Sequence, residues 1–473
     1  MKRFILIICI GLILTLFSCK NVIDEDGLTQ KHFLEDLDYI LYTLENNFGL
    51  FDVAYWARDV DIYGIVNNVR EDILNNPRMD IDEFYESLFI HFNQLWPIGH
   101  FEIISPSRHY HLTNHLSAFE QIRFSREVLA RLTYPHVLGF YEERHSNEDI
   151  QFSIESSTIL TVGEIEFMQS SLVLFGEQEL AERLGQTFLD REYEEVLELL
   201  IQAYDIFDNV PNVITEIIEE GRIASLTINN FMIDDWDMQM INGQIREFLQ
   251  ETHDYEHLII DLRANYGGST RFFLNHVMSP LLNESLTLYS YAFFIADGDY
   301  SERYTSSNHR LWWNSFEMMP NYYELRCVLE ILNNDTLAQF NLGDEQRLGY
   351  GFPLQTYIEP RCQLTFGSQP IFDGEIWLLT GPLMTSASQV AAWASKESGF
   401  ATLVGEVTGG AFGGPRVFVA LPNSGILFQM DVFYITDQHG RPLEAGTVPH
   451  HFNCDGMDAL ETVLSLIEEG VHQ

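Results

Sequence analysis

Lysine is nearly missing from this chain. It occurs only at Lys2, Lys20, Lys31 and Lys396; arginine completes a total of 26 basic residues against 70 acidic ones. The formal net charge of −44 excludes nucleic acid as a partner, because the phosphate backbone would be repelled. It implies a soluble, self-repelling surface, with attraction of a cationic substrate such as a basic peptide as the sharper reading. Cysteine is scarce too. Beyond Cys9 and Cys19 there remain Cys327, Cys362 and Cys454, so at most one disulfide closes among them. No CxxC pair exists, so a zinc–thiolate site is not supported, and no metal or nucleotide cofactor is implied. No repeat or low-complexity tract is evident.

What is present begins with a targeting segment, which is set aside for fold reasoning. Lys2 and Arg3 precede an apolar run from Phe4 to Leu14, too short to suit a membrane-spanning helix. Leu16-Phe17-Ser18-Cys19 resembles a bacterial lipobox, which would make Cys19 the acylated residue. The expectation is an exported protein in the cell envelope, tethered by lipid and facing the periplasm or the exterior. Residues 1–19 would be the leader and 20–30 a polar linker. The 473 residues, 46% of them hydrophobic and 13% aromatic, suffice for large cores in about two or three domains.

His32 to Leu95 reads as helical from the spacing of Leu34, Leu37, Ile40, Leu41 and Leu44, and of Phe84, Leu88, Phe89 and Phe92. Pro97 and Gly99 end that pattern and leave His100 at a helix-to-strand junction. A helical domain over 31–115 is expected, then a less informative region over 116–210, where Phe152 to Met168 alternates like a strand. From 211 to 473 strands interleave with helices, which predicts an α/β domain built on a mostly parallel, covered sheet. Residues 297–369 are weakly patterned and read as an insertion or lid.

Two turns in that last domain carry chemistry. The buried run Leu258 to Leu262 leads into Arg263-Ala264-Asn265-Tyr266-Gly267-Gly268-Ser269, and the run Ile376 to Thr380 leads into Gly381-Pro382 and a helix that starts near Ser386. A serine at a helix start, lifted out of a sheet by a tight turn, sits where free backbone N–H groups can hold an oxyanion. Ser386 is the candidate nucleophile. Ser388 would point about 200° round the same helix.

These stretches resemble the S41 serine peptidases, the tail-specific and C-terminal processing proteases. The likeness is carried by LIIDLRANYGGS (258–269), LLTGPLMTSASQVAAWA (378–394), ATLVGEVTGG (401–410), GRPLEAGTVPHH (440–451) and IGHFEI (98–103). It implies a ClpP/crotonase-like catalytic domain beside an N-terminal helical one, with Ser386 as nucleophile. One branch of the family uses a lysine base after Gly-Glu-x-Thr. Here Gly405-Glu406-Val407-Thr408 is followed by no lysine, and Lys396 lies ten positions along the nucleophile's helix, about 15 Å away. The likeness therefore falls to the histidine-base branch, similar to nisin-resistance, tricorn-core and retinoid-binding-like relatives. That branch implies His100 as the base, with His276 and His450 in reserve, and Glu444 as a third, orienting member. An imidazole with pKa near 6.5 suits proton abstraction at neutral pH.

The oxyanion donors are expected to be the N–H of Gly267 or Gly268 and that of Ala387. Two departures from the family stand out: Gln389 replaces a glutamate after Ser-Ala-Ser, and His450 stands where an aspartate is usual. His109 and His111 form an HxH pair with no carboxylate motif beside it and read as surface histidines. The expected activity is peptide-bond cleavage through a Ser–His acyl-enzyme, on a peptide or protein C-terminal region. The alternative is a catalytically silent binding protein for peptides or apolar ligands.

Overall fold

The structure is a computed structural model that describes residues 27–471, save 97, 115–129, 146–161, most of 190–209, 233–234, 296–297, most of 301–349, 359–371 and 413. The leader with Cys19, and most of the expected insertion 297–369, lie outside the described residues.

Four helices open the described chain: α1 (Gln30–Asn47), α2 (Phe51–Arg58), α3 (Ile62–Asn75) and α4 (Ile81–Phe92). α4 shows why. Asp80 caps it by accepting from Glu83 N at 2.9 Å, and the Glu83 side chain accepts from Asp80 N at 3.0 Å, a reciprocal box that satisfies two end donors. Ile81, Phe84, Tyr85, Leu88 and Phe92 then bury one face. The helices do not form a separate core. Phe92 stacks on Phe101 at 5.6 Å between ring centroids, and Phe101 meets Phe428 of the sheet at 5.7 Å. Each fully buried phenylalanine contributes about 2 kcal/mol from area alone. Asp36, fully buried in α1, adds a polar tie: it accepts from the backbone N–H groups of Asn423 and Ser424.

The strands are β1 (Glu102–Ile103), β2 (Val213–Glu219), β3 (Ile223–Ile228), β4 (His257–Asp261), β5 (Leu286–Phe294), β6 (Arg326–Cys327), β7 (Tyr350–Ile358), β8 (Glu375–Thr380), β9 (Thr402–Gly405), β10 (Gly414–Ala420), β11 (Leu427–Asp437) and β12 (His451–Phe452). They make two sheets. One has the order β12-β9-β8-β4-β3-β2, parallel except for β2. Helices α5 (Asp235–Glu251) and α6 (Ala387–Ser398) make the crossovers from β3 to β4 and from β8 to β9, and α7 (Ala459–Glu468) packs on the same sheet. This is the parallel, covered sheet that the pattern predicts, and the α/β fold expected of it.

The second sheet, β1-β11-β5-β7-β6 with β10 also on β11, is antiparallel throughout. The sequence pattern does not foresee it as a separate layer. β11 is its spine, and all eleven of its residues are buried. The strand expected over Phe152 to Met168 lies outside the described residues up to 161, and its described end belongs to an α-helix, Val162–Leu174. The buried residues of that helix, Met168, Ser171 and Leu172, fall at the i, i+3, i+4 spacing of a helix face.

Candidate active site

β4 and β8 are parallel neighbours, with Asp261 beside Leu379, so the turns that follow them emerge side by side. One turn carries Gly267 and Gly268, the other Ser386. Their approach is close enough to require glycine: a Cβ on Gly267 would lie 2.9 Å from Ser386 Cβ and 2.8 Å from Thr385 O. Ser386 itself has φ 56° and ψ −118°, a left-handed conformation that a serine adopts only under constraint. The constraint is visible. Ser386 N donates to Gly410 O at 2.9 Å, and Thr385 Oγ1 donates to Tyr266 O at 3.0 Å. Ser388, fully buried, donates its hydroxyl to Asn265 O at 2.6 Å, stapling α6 to the glycine turn. The physical roles of the two serines therefore differ, as the helix geometry predicts.

Gly99 and His100 both have positive φ, 53° and 48°. This left-handed kink lies just before β1 and turns the imidazole toward Ser386, whose Oγ is 3.2 Å from His100 Nε2. His100 Nδ1 lies 2.5 Å from Asp431 Oδ2 on β11. A carboxylate only accepts, so Nδ1 carries the proton in this pair and Nε2 is left to accept from the serine hydroxyl. Asp431 has no exposure to solvent, and the His100 side chain only 14%.

The backbone donors divide unequally. Gly267 N is already engaged, donating to Asn265 Oδ1 at 2.9 Å. Among the described residues neither Gly268 N nor Ala387 N has a hydrogen-bond acceptor.

Glu444 takes a different place from the one the resemblance implies. The carboxylate on the His100 ring is that of Asp431. Glu444 Oε1 accepts from Gly99 N at 3.2 Å and Oε2 from Phe412 N at 3.1 Å, so it holds the backbone beside the base. Burial pushes its pKa up to about 7, the charge of Asp431 adding to the rise, while Arg58 and the two N–H donors oppose it. Asp431 is the functional candidate that sequence reasoning missed. An acidic residue inside Phe428-Gln429-Met430-Asp431-Val432-Phe433, a largely apolar run, was the available signal.

The remaining candidates fall outside the cluster. His450 pairs with β9 through Leu403 N to His450 Nδ1 at 2.9 Å, and burial lowers its pKa. The His276 ring lies against Phe272. His109 is a correction: it is buried, stacked on Tyr141 at 4.2 Å and bonded through Nε2 to Leu132 O at 2.8 Å. Lys396 Nζ donates to Val448 O at 2.5 Å. Gln389 is buried, donating to Leu443 O at 3.1 Å and to Thr447 Oγ1 at 3.0 Å, and accepting from the Thr408 hydroxyl. Its amide both donates and accepts there, which a carboxylate could not do. Cys454 is a free, exposed thiol.

A hydroxyl, an imidazole and a buried carboxylate in hydrogen-bonded line, beside unclaimed backbone N–H groups, is the constellation of serine hydrolases. Residues 222–452, just under half of the chain, match the family model of peptidase family S41. No curated protein matches the sequence. Among solved structures, a candidate peptidase from Parabacteroides merdae is 14% identical, with 94% of this chain and 97% of that one covered and a TM-score of 0.48. Mature CPAF in complex with lactacystin is 12% identical, with 93% and 97% covered and a TM-score of 0.49. A lipoprotein from Streptococcus agalactiae is 14% identical, with 62% and 88% covered and a TM-score of 0.34.

Proposed function

We propose that this protein is a serine peptidase that works through an acyl-enzyme, with Ser386 as nucleophile, His100 as base and Asp431 as the group that orients the base. The observation that carries the reading is the line from Ser386 Oγ through His100 to Asp431, at 3.2 Å and 2.5 Å. His100 Nε2 takes the hydroxyl proton as Oγ attacks the scissile carbonyl, and Asp431 stabilises the imidazolium that forms. Gly268 N and Ala387 N receive the oxyanion. His100 then gives the proton to the leaving amine, and water, activated by the same ring, hydrolyses the ester. The substrate is a peptide or protein, with cationic sequences favoured by the net charge of −44. The lipobox at Cys19 supports export and a lipid anchor in a bacterial envelope. Gln389 and His450 each have a structural use, so neither favours the reading as a silent binding protein.

Fluorophosphonate labelling tests the assignment. Wild type is expected to be modified, and Ser386→Ala and His100→Ala are not. A folded wild type that resists labelling would sink the peptidase reading. Labelling that survives in His100→Ala would remove the base.

A further inference from the structure

Arg58 ends α2, in the helical region, yet it donates to two carbonyls of the segment that carries Ser386. Its Nη2 donates to the carbonyls of Gly409 and Glu444, the second at 2.8 Å. Both contacts lie one step from the reacting groups. The peptide after Gly409 O belongs to Gly410, whose own carbonyl holds Ser386 N at 2.9 Å. Gly409 N in turn donates to Met384 O at 2.8 Å, two residues before the nucleophile. On the other side, Glu444 Oε1 holds Gly99 N at 3.2 Å, next to the base. The segment that Arg58 grips is strained, with φ of 75° at Gly410 and 52° at Ala411, and such backbone persists only where its surroundings fix it.

The guanidinium also fills the space at position 410. A Cβ there would lie 2.6 Å from Arg58 Nη2 and 2.0 Å from Glu444 O, so the loop after Gly-Glu-x-Thr has no room for a side chain at that point. Among the described residues no hydrogen bond joins Arg58 to the serine or the histidine.

We propose that Arg58 is a positioning residue, which draws the Gly409–Gly410 loop and the Glu444 turn together and so sets the separation of Ser386 from His100. The proposal rests on the peptidase reading for its kinetic consequence, but its structural consequence stands apart from it. Both bonds come from one nitrogen, Nη2, at the end of a long cationic side chain; glutamine is shorter and uncharged, and lysine keeps the charge without the planar guanidinium.

The test compares wild type with Arg58→Gln, both checked for folding by circular dichroism and thermal melting. Two readouts are taken: the rate of fluorophosphonate labelling, and hydrogen exchange at the amides of Ser386 and Phe412. The expected result is labelling slowed by about 10- to 100-fold and faster exchange at both amides, with KM for a peptide changed less than about threefold. Added methylguanidinium should restore part of the rate in Arg58→Ala. Labelling within twofold of wild type, with exchange unchanged, overturns the proposal. Should Arg58→Gln fail to fold, Arg58→Lys is judged by the same two readouts, with a several-fold slowing expected and a wild-type rate overturning it. Should wild type itself not label, the peptidase reading fails, and exchange at Ser386 alone decides for or against Arg58.

Discussion

His100, two residues before β1, meets Asp431 of β11 through its side chain. β1 pairs with β11 in antiparallel register, Glu102 against Gln429 and Ile103 against Phe428. Carried two residues further along both chains, that register sets position 100 against position 431. The left-handed kink at Gly99 and His100 ends the regular ladder there, and the imidazole meets the carboxylate at 2.5 Å. The histidine–aspartate contact is thus a product of strand register, with the helical region supplying one partner and the spine of the antiparallel sheet the other.

Asp431→Asn should therefore keep the fold and lose the tautomer. The amide has nearly the same shape, but its NH2 offers a donor to Nδ1 and favours the proton on Nε2, where it cannot accept from Ser386. A fall of about 10⁴-fold in kcat is expected, the size seen when an orienting aspartate is made an asparagine in a serine protease. The comparison variant is Glu444→Gln, which should fall far less at pH 7 because Glu444 acts on backbone. Peptide hydrolysis measures both. A larger loss in Glu444→Gln than in Asp431→Asn would make Glu444 the orienting member after all.

Much of this site was legible before the structure. Strand, turn and helix signals are local, and Leu258–Ser269 and Leu378–Ala394 carry them in one window each, so Ser386, Ala387 and the two glycines could be named from the chain. His100 needed the family likeness, since only its junction position separates it from the other histidines. Asp431 was out of reach for a physical reason. Its partner is 331 positions away, and the contact depends on a register between a two-residue strand and an eleven-residue one. The likeness pointed instead to Glu444, which lies in the same neighbourhood and grips Gly99. The antiparallel sheet escaped notice because β10 and β11 follow the α/β units directly and read as continuations of them.

The carboxyl of Glu444 should leave a mark on stability against pH. Its pKa in the folded protein is about 7, raised from 4.5 by burial. Below about pH 4.5 it is protonated in both states and contributes nothing unfavourable. Between the two values the unfolded chain releases the proton while the folded one retains it, so stability falls as pH rises. Above pH 7 the full cost is present, roughly 3 kcal/mol. Denaturant midpoints for wild type and Glu444→Gln, measured from pH 5 to 8, should show a shallower decline in the variant. Parallel curves would mean that the carboxyl is already ionised in the fold.

The glycine turn makes a sharper demand, because its two glycines serve different ends. Gly267 has φ 111° and its N–H belongs to Asn265, so it is needed for the approach of Ser386. Gly268 has φ 127° and its N–H is unclaimed among the described residues. Substitution at Gly267 by alanine sets a methyl 2.9 Å from Ser386 Cβ and 3.1 Å from Ala387 N, pushing the nucleophile and one oxyanion donor away together. The expected loss is at least about 100-fold in acylation, comparable to removing one oxyanion donor, with about 1–3 kcal/mol of stability lost to backbone strain. Asn265→Ala separates the two effects. It frees the Gly267 N–H but removes the acceptor that fixes it, so labelling should slow while Ser386 keeps its bond to Gly410. Single-turnover labelling and thermal melts of both variants give the comparison. A Gly267→Ala protein that melts lower yet labels at the wild-type rate would show that the close approach of the two turns is structural and that the oxyanion lies elsewhere.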